Sequence, residues 1–133
     1  MKKCKVFLGG TIQDNWRDYL ISKLEIDYFN PIVDKWDINA RKIENEQKYE
    51  CDFLLYVITE NQKGFYTIAE IVDDCNNRPS KVIVCILKEN MTKELLNNIE
   101  SVLEIIKEHN PLKIYYNLDD VIKFLNLDGK FLN

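Results

Sequence analysis

The stretch Phe53-Leu54-Leu55-Tyr56-Val57-Ile58 decides the fold that this sequence predicts. Its residues are all apolar or aromatic and do not alternate with polar residues, which is typical of a strand covered on both faces. A second run of the same kind, VIVCIL, occupies positions 82–87. Strands that are buried on both faces occur in parallel sheets with helices on each side. The two runs therefore predict an α/β protein with a parallel sheet at its centre.

Shorter apolar segments and helical patterns alternate on both sides of these two runs. Val6-Phe7-Leu8, ended by Gly9-Gly10, predicts a first strand, and Ile114-Tyr115-Tyr116 predicts a last one. Residues 28–33 predict a short second strand at the edge of the sheet, because Pro31 cannot donate to a ladder. Apolar residues at helical spacing, or polar helical composition, predict helices near residues 16–24, 38–50, 65–75, 95–106 and 118–125.

The resulting order of strands and helices predicts a flavodoxin-like, doubly wound sheet of about five parallel strands in a three-layer α/β/α arrangement. We expect the strand order 2-1-3-4-5, which has a switch point between the first and third strands. Ligands of such sheets bind beyond the carboxyl ends of the strands at this switch point. Two segments are therefore singled out, namely Gly9-Gly10-Thr11, and residues 59–64 with the helix that follows them.

Length and composition restrict the class of protein. The 133 residues predict one domain spanning 1–133, and a composition of 46% hydrophobic and 30% charged residues is typical of a globular chain. The net charge is −4 and no basic block occurs, so we expect no nucleic-acid polymer as a partner. No apolar stretch approaches the roughly 18 residues that a membrane helix needs, so we expect no membrane partner.

Cysteine spacing and the missing nucleotide motifs restrict location and cofactors. Cys4, Cys51, Cys75 and Cys85 form no CxxC pair and match no zinc spacing, which predicts reduced core thiols and a cytoplasmic protein. His109 is the only histidine and lies in a predicted turn, which argues against a histidine-based triad or metal site. Neither GxGxxG nor the P-loop pattern occurs. We therefore predict no metal and no cofactor.

Glu70 is the first candidate for chemistry near the switch point. It lies about one and a half turns into the helix that begins near Gly64. It points away from the predicted apolar stripe of that helix, which is formed by Phe65, Ile68, Ala69 and Val72. The helix dipole favours an ionised carboxylate near this end. An ordinary exposed glutamate gives the same pattern, so the residues alone leave both interpretations open.

Other candidates lie around the same edge of the sheet or on the helix before the third strand. Trp36 follows the second strand and either stacks on a base or packs in a lid. Gly9-Gly10-Thr11 either lets a ligand approach the backbone or only ends a strand. Asp52 precedes the third strand, where it caps or fixes a neighbouring loop. The polar helix before it carries three acids, Glu44, Glu46 and Glu50. We expect at least two of the three to be solvated.

Taken together, these segments resemble the nucleoside 2-deoxyribosyltransferase-like family. The resemblance is to its small bacterial and phage branch more than to the classical transferases, and it covers residues 5–87. The order and spacing of four pieces carry it: Val6-Phe7-Leu8-Gly9-Gly10-Thr11-Ile12, Phe29-Asn30-Pro31-Ile32-Val33 with Trp36, Glu50-Cys51-Asp52 with the strand to Thr59, and Gly64-Phe65-Tyr66-Thr67-Ile68-Ala69-Glu70 with Asp73.

The resemblance implies an enzyme that cleaves or transfers at the N-glycosidic bond of a (2-deoxy)nucleoside or nucleoside 5′-monophosphate. Family enzymes use a helix-borne glutamate as the nucleophile on the anomeric carbon, and the matching residue here is Glu70. An acidic residue upstream protonates the departing base, at a position matched by Glu46 or Glu44. Asp52 matches an aspartate that organises the site. Such a pair follows the two-carboxylate logic of retaining glycosidases.

The resemblance also implies a pocket for the base and the sugar. Gly9-Gly10-Thr11 matches the loop that lines it, and Trp36, Gly64 and Tyr66 are assigned to the same pocket. Related transferases carry an acid that holds the sugar hydroxyls where this chain has Gly64. A hydrolase, a nucleotide-directed variant and a non-catalytic nucleotide-binding or sensor module therefore stay open beside transfer. The implied partners are a small-molecule nucleoside or nucleotide and further copies of the chain, as a homodimer or larger homo-oligomer.

Overall fold

The structure, a computed structural model, describes residues 4–129. Its strands are β1 (Lys5–Gly10), β2 (Asp27–Phe29), β3 (Phe53–Ile58), β4 (Val82–Ile86) and β5 (Lys113–Tyr115). Its α-helices are α1 (Trp16–Lys23), α2 (Ile38–Glu50), α3 (Tyr66–Asn77), α4 (Lys93–Lys107) and α5 (Leu118–Gly129). Short 3-10 helices flank β4, at Pro79–Lys81 and Lys88–Asn90. All neighbouring strands pair in parallel in the order β2-β1-β3-β4-β5, which confirms the predicted fold class and strand order.

The sheet divides the core into two layers because its side chains alternate between its faces. On one face, Leu8 and Leu55 pack with residues of α1 and α5, including Leu20, Val121 and Leu125. On the other face, Phe7 and Tyr56 pack with residues of α3 and α4, including Ile71, Cys75, Ile99 and Leu103. Every residue of β3 and β4 is buried, as expected for strands covered on both sides. The three-layer arrangement is therefore confirmed.

The second strand is shorter than the sequence predicts. β2 ends at Phe29, whereas the predicted strand continued through Pro31 to position 33. The structure leaves residues 30–37 without regular structure, and Pro31 lies in this segment rather than at the edge of the ladder. The segment turns back over the carboxyl end of the sheet, where Ile32, Val33 and Trp36 line a cavity.

The buried face of α3 also differs from the predicted apolar stripe. Phe65 is 86% exposed, and Ala69 and Val72 are exposed as well, so the prediction that they face the core is wrong. The buried residues of α3 are Thr67, Ile71, Asp74 and Cys75, and Ile68 of the predicted stripe is partly buried. Two of these are polar, and Asp74 is held in the interior by ion pairs with two cations. Polar contacts therefore help to set the rotation of α3 about its axis. The spacing of apolar residues alone does not predict this rotation.

Two further expectations concern the cysteines, predicted to be core thiols, and the absence of a membrane-spanning helix. All four cysteines are buried free thiols, and burial raises the pKa of Cys85 to about 12. Thiols with a raised pKa are poor nucleophiles, which agrees with a structural role in the core. Within residues 4–129, no helix combines the length and apolar character that crossing a membrane requires.

Candidate active site

A cavity of about 420 Å³ opens at the carboxyl ends of β1 and β3. This is the switch point of the sheet, where the sequence predicts a ligand. The segments around it are the turn after β1, α1, residues 30–37, α2 and the start of α3. Its apolar walls include Ile12, Ile32, Val33, Trp36 and Tyr66, and its polar lining includes Arg17, Glu44, Gln62 and Glu70.

Two carboxyl groups meet in this cavity, one from each of two neighbouring helices. Glu70 of α3 has a side chain that is 12% exposed, and Glu44 of α2 has one that is 7% exposed. Lys48, one turn after Glu44, donates a hydrogen bond of 2.8 Å from Nζ to Oε2 of Glu70. The same Nζ lies 4.0 Å from Oε1 of Glu44. The structure thus brings a carboxylate, a second carboxyl group and an ammonium group together at one wall.

The surroundings of Glu44 favour the protonated form of its carboxyl group. Burial, a hydrogen bond with Glu70 and the negative charge of Glu70 raise the pKa of Glu44 to about 8, against the opposing charges of Lys48 and Arg41. Glu44 therefore retains its proton and can donate it to Glu70 or to a ligand. Pairs of carboxyl groups whose surroundings push their pKa values apart are typical of acid and nucleophile pairs.

We expect the free energy of unfolding to fall as the pH rises, because Glu44 holds its proton longer in the folded protein than in the unfolded chain. This contribution is complete below the ordinary pKa of 4.5 and is lost as the pH rises through the folded pKa of about 8. Glu44→Gln removes the titration and should flatten the profile by about 2 to 4 kcal/mol. Urea unfolding across this range measures the effect.

The matched control for that experiment is Glu46→Gln, because Glu46 is exposed on the same helix. Its unfolding profile should have the slope of the unsubstituted protein. A Glu44→Gln protein that kept this slope would contradict a proton held on Glu44.

A fully buried aspartate anchors the ammonium group from behind. Asp74 lies one turn after Glu70 on α3, and its Oδ2 is 3.3 Å from Nζ of Lys48. The hydroxyl of Tyr56 donates a short hydrogen bond to the same oxygen. Arg78 donates from Nη1 to Oδ1 at 2.6 Å. Asp74 is therefore fully satisfied, as a buried carboxylate must be, and it fixes Lys48 against the wall of the cavity.

Both glycines of the predicted loop line the cavity, but their contacts lie within the protein. A Cβ on Gly9 would come within 2.6 Å of the Tyr56 ring. Gly10 has φ +116°, and a Cβ there would meet the backbone of Val57 at 2.1 Å. Glycine is required at both positions by the close approach of β1 to β3. Their backbone atoms nevertheless form part of the floor of the cavity.

Thr11 organises the loops at the edge of the cavity and is not among its lining residues. Its hydroxyl accepts a hydrogen bond from the backbone of Thr59 and donates one to Gln62. Its carbonyl accepts from Nη1 of Arg17 at 2.8 Å, and the carbonyl of Leu8 accepts from Nε and Nη2 of the same guanidinium. Burial lowers the pKa of Arg17 to about 10, so a charged group still lines the cavity at neutral pH.

An aromatic pair lies at the mouth of the cavity. Trp36 and Tyr66 make an edge-to-face contact, with ring centroids 6.1 Å apart and an angle of 71° between the planes. Both side chains are about half exposed, at 48% and 51%. Aromatic rings with a free face in a cavity can stack on a planar ligand. The structure thus brings these two predicted residues together with Gly9, Gly10 and Glu70.

Besides Thr11, three predicted site residues do not line the cavity. Glu46 is exposed, because two residues along α2 rotate its side chain by about 200° from Glu44. Asp52 lies at the opposite edge of the sheet, where its carboxylate accepts a hydrogen bond of 2.9 Å from the backbone of Lys5. Gly64, with φ +73°, faces open space in the loop before α3. The structure therefore replaces Glu46 with Glu44 beside Glu70 and gives Asp52 a role in joining β1 to β3.

Sequence reasoning missed Lys48, Asp74 and Arg17, and it named Glu44 only as an alternative. One signal was available, because Glu44 and Lys48 are four residues apart on α2 and Glu70 and Asp74 are four apart on α3. Residues at this spacing share a helix face. Two such polar pairs on helices that flank the same strand ends indicate a buried cluster rather than a solvated surface.

Comparison with known proteins gives this arrangement a family. A doubly wound sheet with a cavity at its switch point is typical of the class of α/β proteins that bind small ligands beyond the strand ends. The model of the family described as "Nucleoside 2-deoxyribosyltransferase like" matches residues 3–90, and the chain belongs to this family. All the residues that line the cavity lie within the matched range. A search of curated proteins found no match.

Proposed function

We propose that this protein cleaves or transfers at the N-glycosidic bond of a (2-deoxy)nucleoside or its 5′-monophosphate, with Glu70 as the nucleophile and Glu44 as the acid. The observation that carries the proposal is that the side chains of Glu44 and Glu70 both line one cavity and lie 4.0 and 2.8 Å from the same ammonium group, that of Lys48. Family membership supports it, since the family is named for glycosyl transfer at nucleosides.

In the first step of the proposed reaction, an oxygen of Glu70 bonds to C1′ of the sugar while the bond from C1′ to the base nitrogen breaks. The electron pair of the broken bond goes to the base, and Glu44 donates its proton to that base. The product is a glycosyl ester on Glu70 and a free neutral base. Both groups are needed, because the transition state carries positive charge on the sugar and negative charge on the departing base.

In the second step, a nitrogen of another base or the oxygen of water attacks C1′. The ester bond breaks, its electron pair returns to the Glu70 carboxylate, and ionised Glu44 takes the proton of the incoming group. A direct displacement would need a water between two carboxyl groups separated by roughly 6.5 to 9.5 Å. Glu44 and Glu70 instead lie against one ammonium group, with Nζ of Lys48 4.0 Å from Oε1 of Glu44 and 2.8 Å from Oε2 of Glu70, and this close grouping supports the two-step route.

The shape and lining of the cavity support a nucleoside as the ligand. Its volume of about 420 Å³ lies within the usual range for small-molecule sites. The apolar wall formed by Ile32, Val33 and Trp36 is suited to a planar base, and the amide of Gln13 in the same lining is available for its polar edge. The carboxyl pair at the inner wall then meets the sugar.

A non-catalytic nucleotide-binding or sensor module is the second candidate function, and one observation favours it. Lys48 holds Oε2 of Glu70 in an ion pair of 2.8 Å, and a carboxylate engaged in this way is less available as a nucleophile. A binding module would use the same cavity and the same aromatic pair without breaking a bond. Release of free base separates the two candidates.

The deciding experiment incubates the protein with a panel of deoxynucleosides and their 5′-monophosphates, with and without a second base. Chromatography then follows free base and any new nucleoside. Base release that needs no second base identifies a hydrolase, and a new nucleoside identifies a transferase. Saturable binding of a panel member without any product identifies the binding module and contradicts the enzyme.

We expect Trp36→Ala to raise KM by about 5- to 100-fold with little change in kcat, because loss of one stacking contact costs about 1 to 3 kcal/mol per base. The contact lies at the mouth of the cavity and is the same before and after the bond breaks. Steady-state kinetics, or a binding titration for the non-catalytic alternative, measures the change. Tyr116→Ala, half-exposed and outside the cavity lining, is the control, and an unchanged KM for Trp36→Ala would contradict stacking.

Three expectations from the sequence stay predictions. These are a single domain over 1–133, a cytoplasmic location, and assembly into a homodimer or larger homo-oligomer. Ile12 and Tyr66 line the cavity and are exposed, and Phe65 beside Tyr66 is 86% exposed, so these side chains are available for contact with another copy. We propose the assembly on the strength of the resemblance and these exposed residues.

A further inference from the structure

Lys48 is a buried cation beside the cavity, in contact with Glu44 and Glu70 but not among the lining residues, and the two-carboxylate chemistry gives it no part. Its residue is 6% exposed, although lysine is rarely buried without a partner or a function. Its ammonium group lies 2.8 Å from Oε2 of Glu70, 3.3 Å from Oδ2 of Asp74 and 4.0 Å from Oε1 of Glu44. All three carboxyl groups around the site therefore converge on one nitrogen.

We propose that Lys48 is a positioning residue, which holds Glu70 by one carboxylate oxygen and so fixes the orientation in which Glu70 meets the sugar. The inference rests on the proposed function and adds a residue to it. Lys48 itself touches neither the reacting carbon nor the base in this scheme. It acts through Glu70, with Asp74 as its anchor in the interior.

The surroundings of the ammonium group leave it little freedom. Nζ lies 5.5 Å from the ring centroid of Phe7 and 5.8 Å from that of Tyr56, which form an aromatic floor under the charge. Asp74 is itself fixed by Tyr56 and Arg78. An oxygen bound to a cation that cannot move is held at a defined place. Such fixed geometry is what a reaction at a single carbon atom requires.

The charges around the cluster make a cation at this position necessary. Glu70 and Asp74 are both ion-pair partners of Lys48. The other charged or titratable groups nearby are Glu44 and Arg41 on α2, Arg78 directly after α3, Arg17 on α1, Tyr56 on β3 and Tyr66 on α3. Burial lowers the pKa of Lys48, but the opposing charges of Glu70, Asp74 and Glu44 outweigh burial and raise it above its ordinary value. Without Lys48, three carboxyl groups would face one another with Arg78 bound to only one of them.

The test compares Lys48→Met, which keeps the length of the side chain but removes the charge, with Lys48→Arg, which keeps a cation. Lys42→Met is the matched control, because Lys42 is exposed on the same helix and its loss changes the net charge equally. Lys48→Gln is a second neutral variant, whose amide can still donate to Asp74 if the methionine variant does not fold. Circular dichroism and urea unfolding select the folded variants.

We expect Lys48→Met to lower kcat by about 100-fold while KM changes by less than about threefold, because misplacing a reacting group acts on the transition state. Removing a nearby cation raises the pKa of a carboxylate, so the acid limb of the kcat profile should move up by about one pH unit or more. Lys48→Arg should recover part of kcat and the original acid limb. If Lys48 had only a structural role, its replacement would not change both kcat and the acid limb in this way.

The outcomes separate this inference from the proposed function. If Glu70→Gln abolishes base release while a folded neutral variant of Lys48 matches Lys42→Met in kcat and in its acid limb, the role of Lys48 is overturned and the reaction stands. If Glu70→Gln keeps its activity, the proposed reaction through Glu70 is contradicted, whatever the Lys48 variants show. Carboxyl titration by carbon NMR in the free protein checks the coupling independently of turnover, and midpoints left unchanged by Lys48→Met would also overturn the inference.

Discussion

Replacement of Glu70 with Gln is expected to lower the rate of base release by at least about 10⁴-fold, as loss of a nucleophile does in other covalent mechanisms. The amide is nearly isosteric, so the cavity and the fold are retained. It cannot form the glycosyl ester, and it does not carry the negative charge that stabilises the developing oxocarbenium ion. Chromatographic assay of free base at saturating substrate measures the loss.

Substrate binding and a neighbouring glutamate provide the controls for Glu70→Gln. Binding measured by titration should change far less than turnover, because most of the cavity is untouched. Glu46→Gln should keep the full rate, since Glu46 is exposed on α2 and lies outside the cavity lining. If Glu70→Gln released base at more than about a tenth of the original rate, a covalent mechanism through Glu70 would be contradicted.

The architecture was predictable because two continuous apolar strands admit few other folds. FLLYVI became β3 and VIVCI became β4, and the helical spacings between them gave the right number and order of elements. The predicted end of β2 and the predicted buried face of α3 were less accurate. Backbone geometry sets the first, and polar contacts set the second. The second strand ended two residues before Pro31. The phase of α3 was wrong because Asp74, a buried acid, replaces an apolar residue at an inward position.

The candidate site was predictable in position but not in all its members. The switch point follows from topology alone, and Glu70 at a helix start beside it was found in this way. The choice between Glu44 and Glu46 depends on the rotation of α2 about its axis, and a polar helix carries no apolar stripe that fixes this rotation. Lys48 fixes it instead, by entering the cluster around Asp74. Such pairing across two helices is not visible until both helices are in place.

The division of labour between the two carboxyl groups follows from their surroundings rather than from their residue type. Glu70 has Lys48 at 2.8 Å, whereas Glu44 has the same ammonium group at 4.0 Å and the carboxylate of Glu70 beside it. Burial and the neighbouring carboxyl group of Glu70 favour the protonated form of Glu44. In the proposed reaction, this difference suits Glu70 to attack and Glu44 to donate a proton.

Glu44→Gln is expected to lower kcat/KM by about 10²- to 10⁴-fold for ordinary nucleosides, because the base then leaves without a proton donor. In the unsubstituted protein, kcat/KM should fall as the pH rises through about 8, where Glu44 loses its proton. The variant should lack this basic limb, because Gln does not titrate. The pH profiles of both proteins, measured on one substrate, test the two expectations together.

A substrate whose base leaves without a proton distinguishes the loss of the proton donor from damage to the cavity. The base of 7-methyl-2′-deoxyguanosine is already positively charged and departs as a neutral species, so Glu44 has no proton to supply. Glu44→Gln should therefore act on this substrate within about tenfold of the unsubstituted protein, because general acid catalysis is the only contribution removed. Glu70→Gln should remain inactive on both substrates. Equal losses for Glu44→Gln on the ordinary and the methylated nucleoside would contradict a proton donor at this position and assign Glu44 a role in holding Glu70.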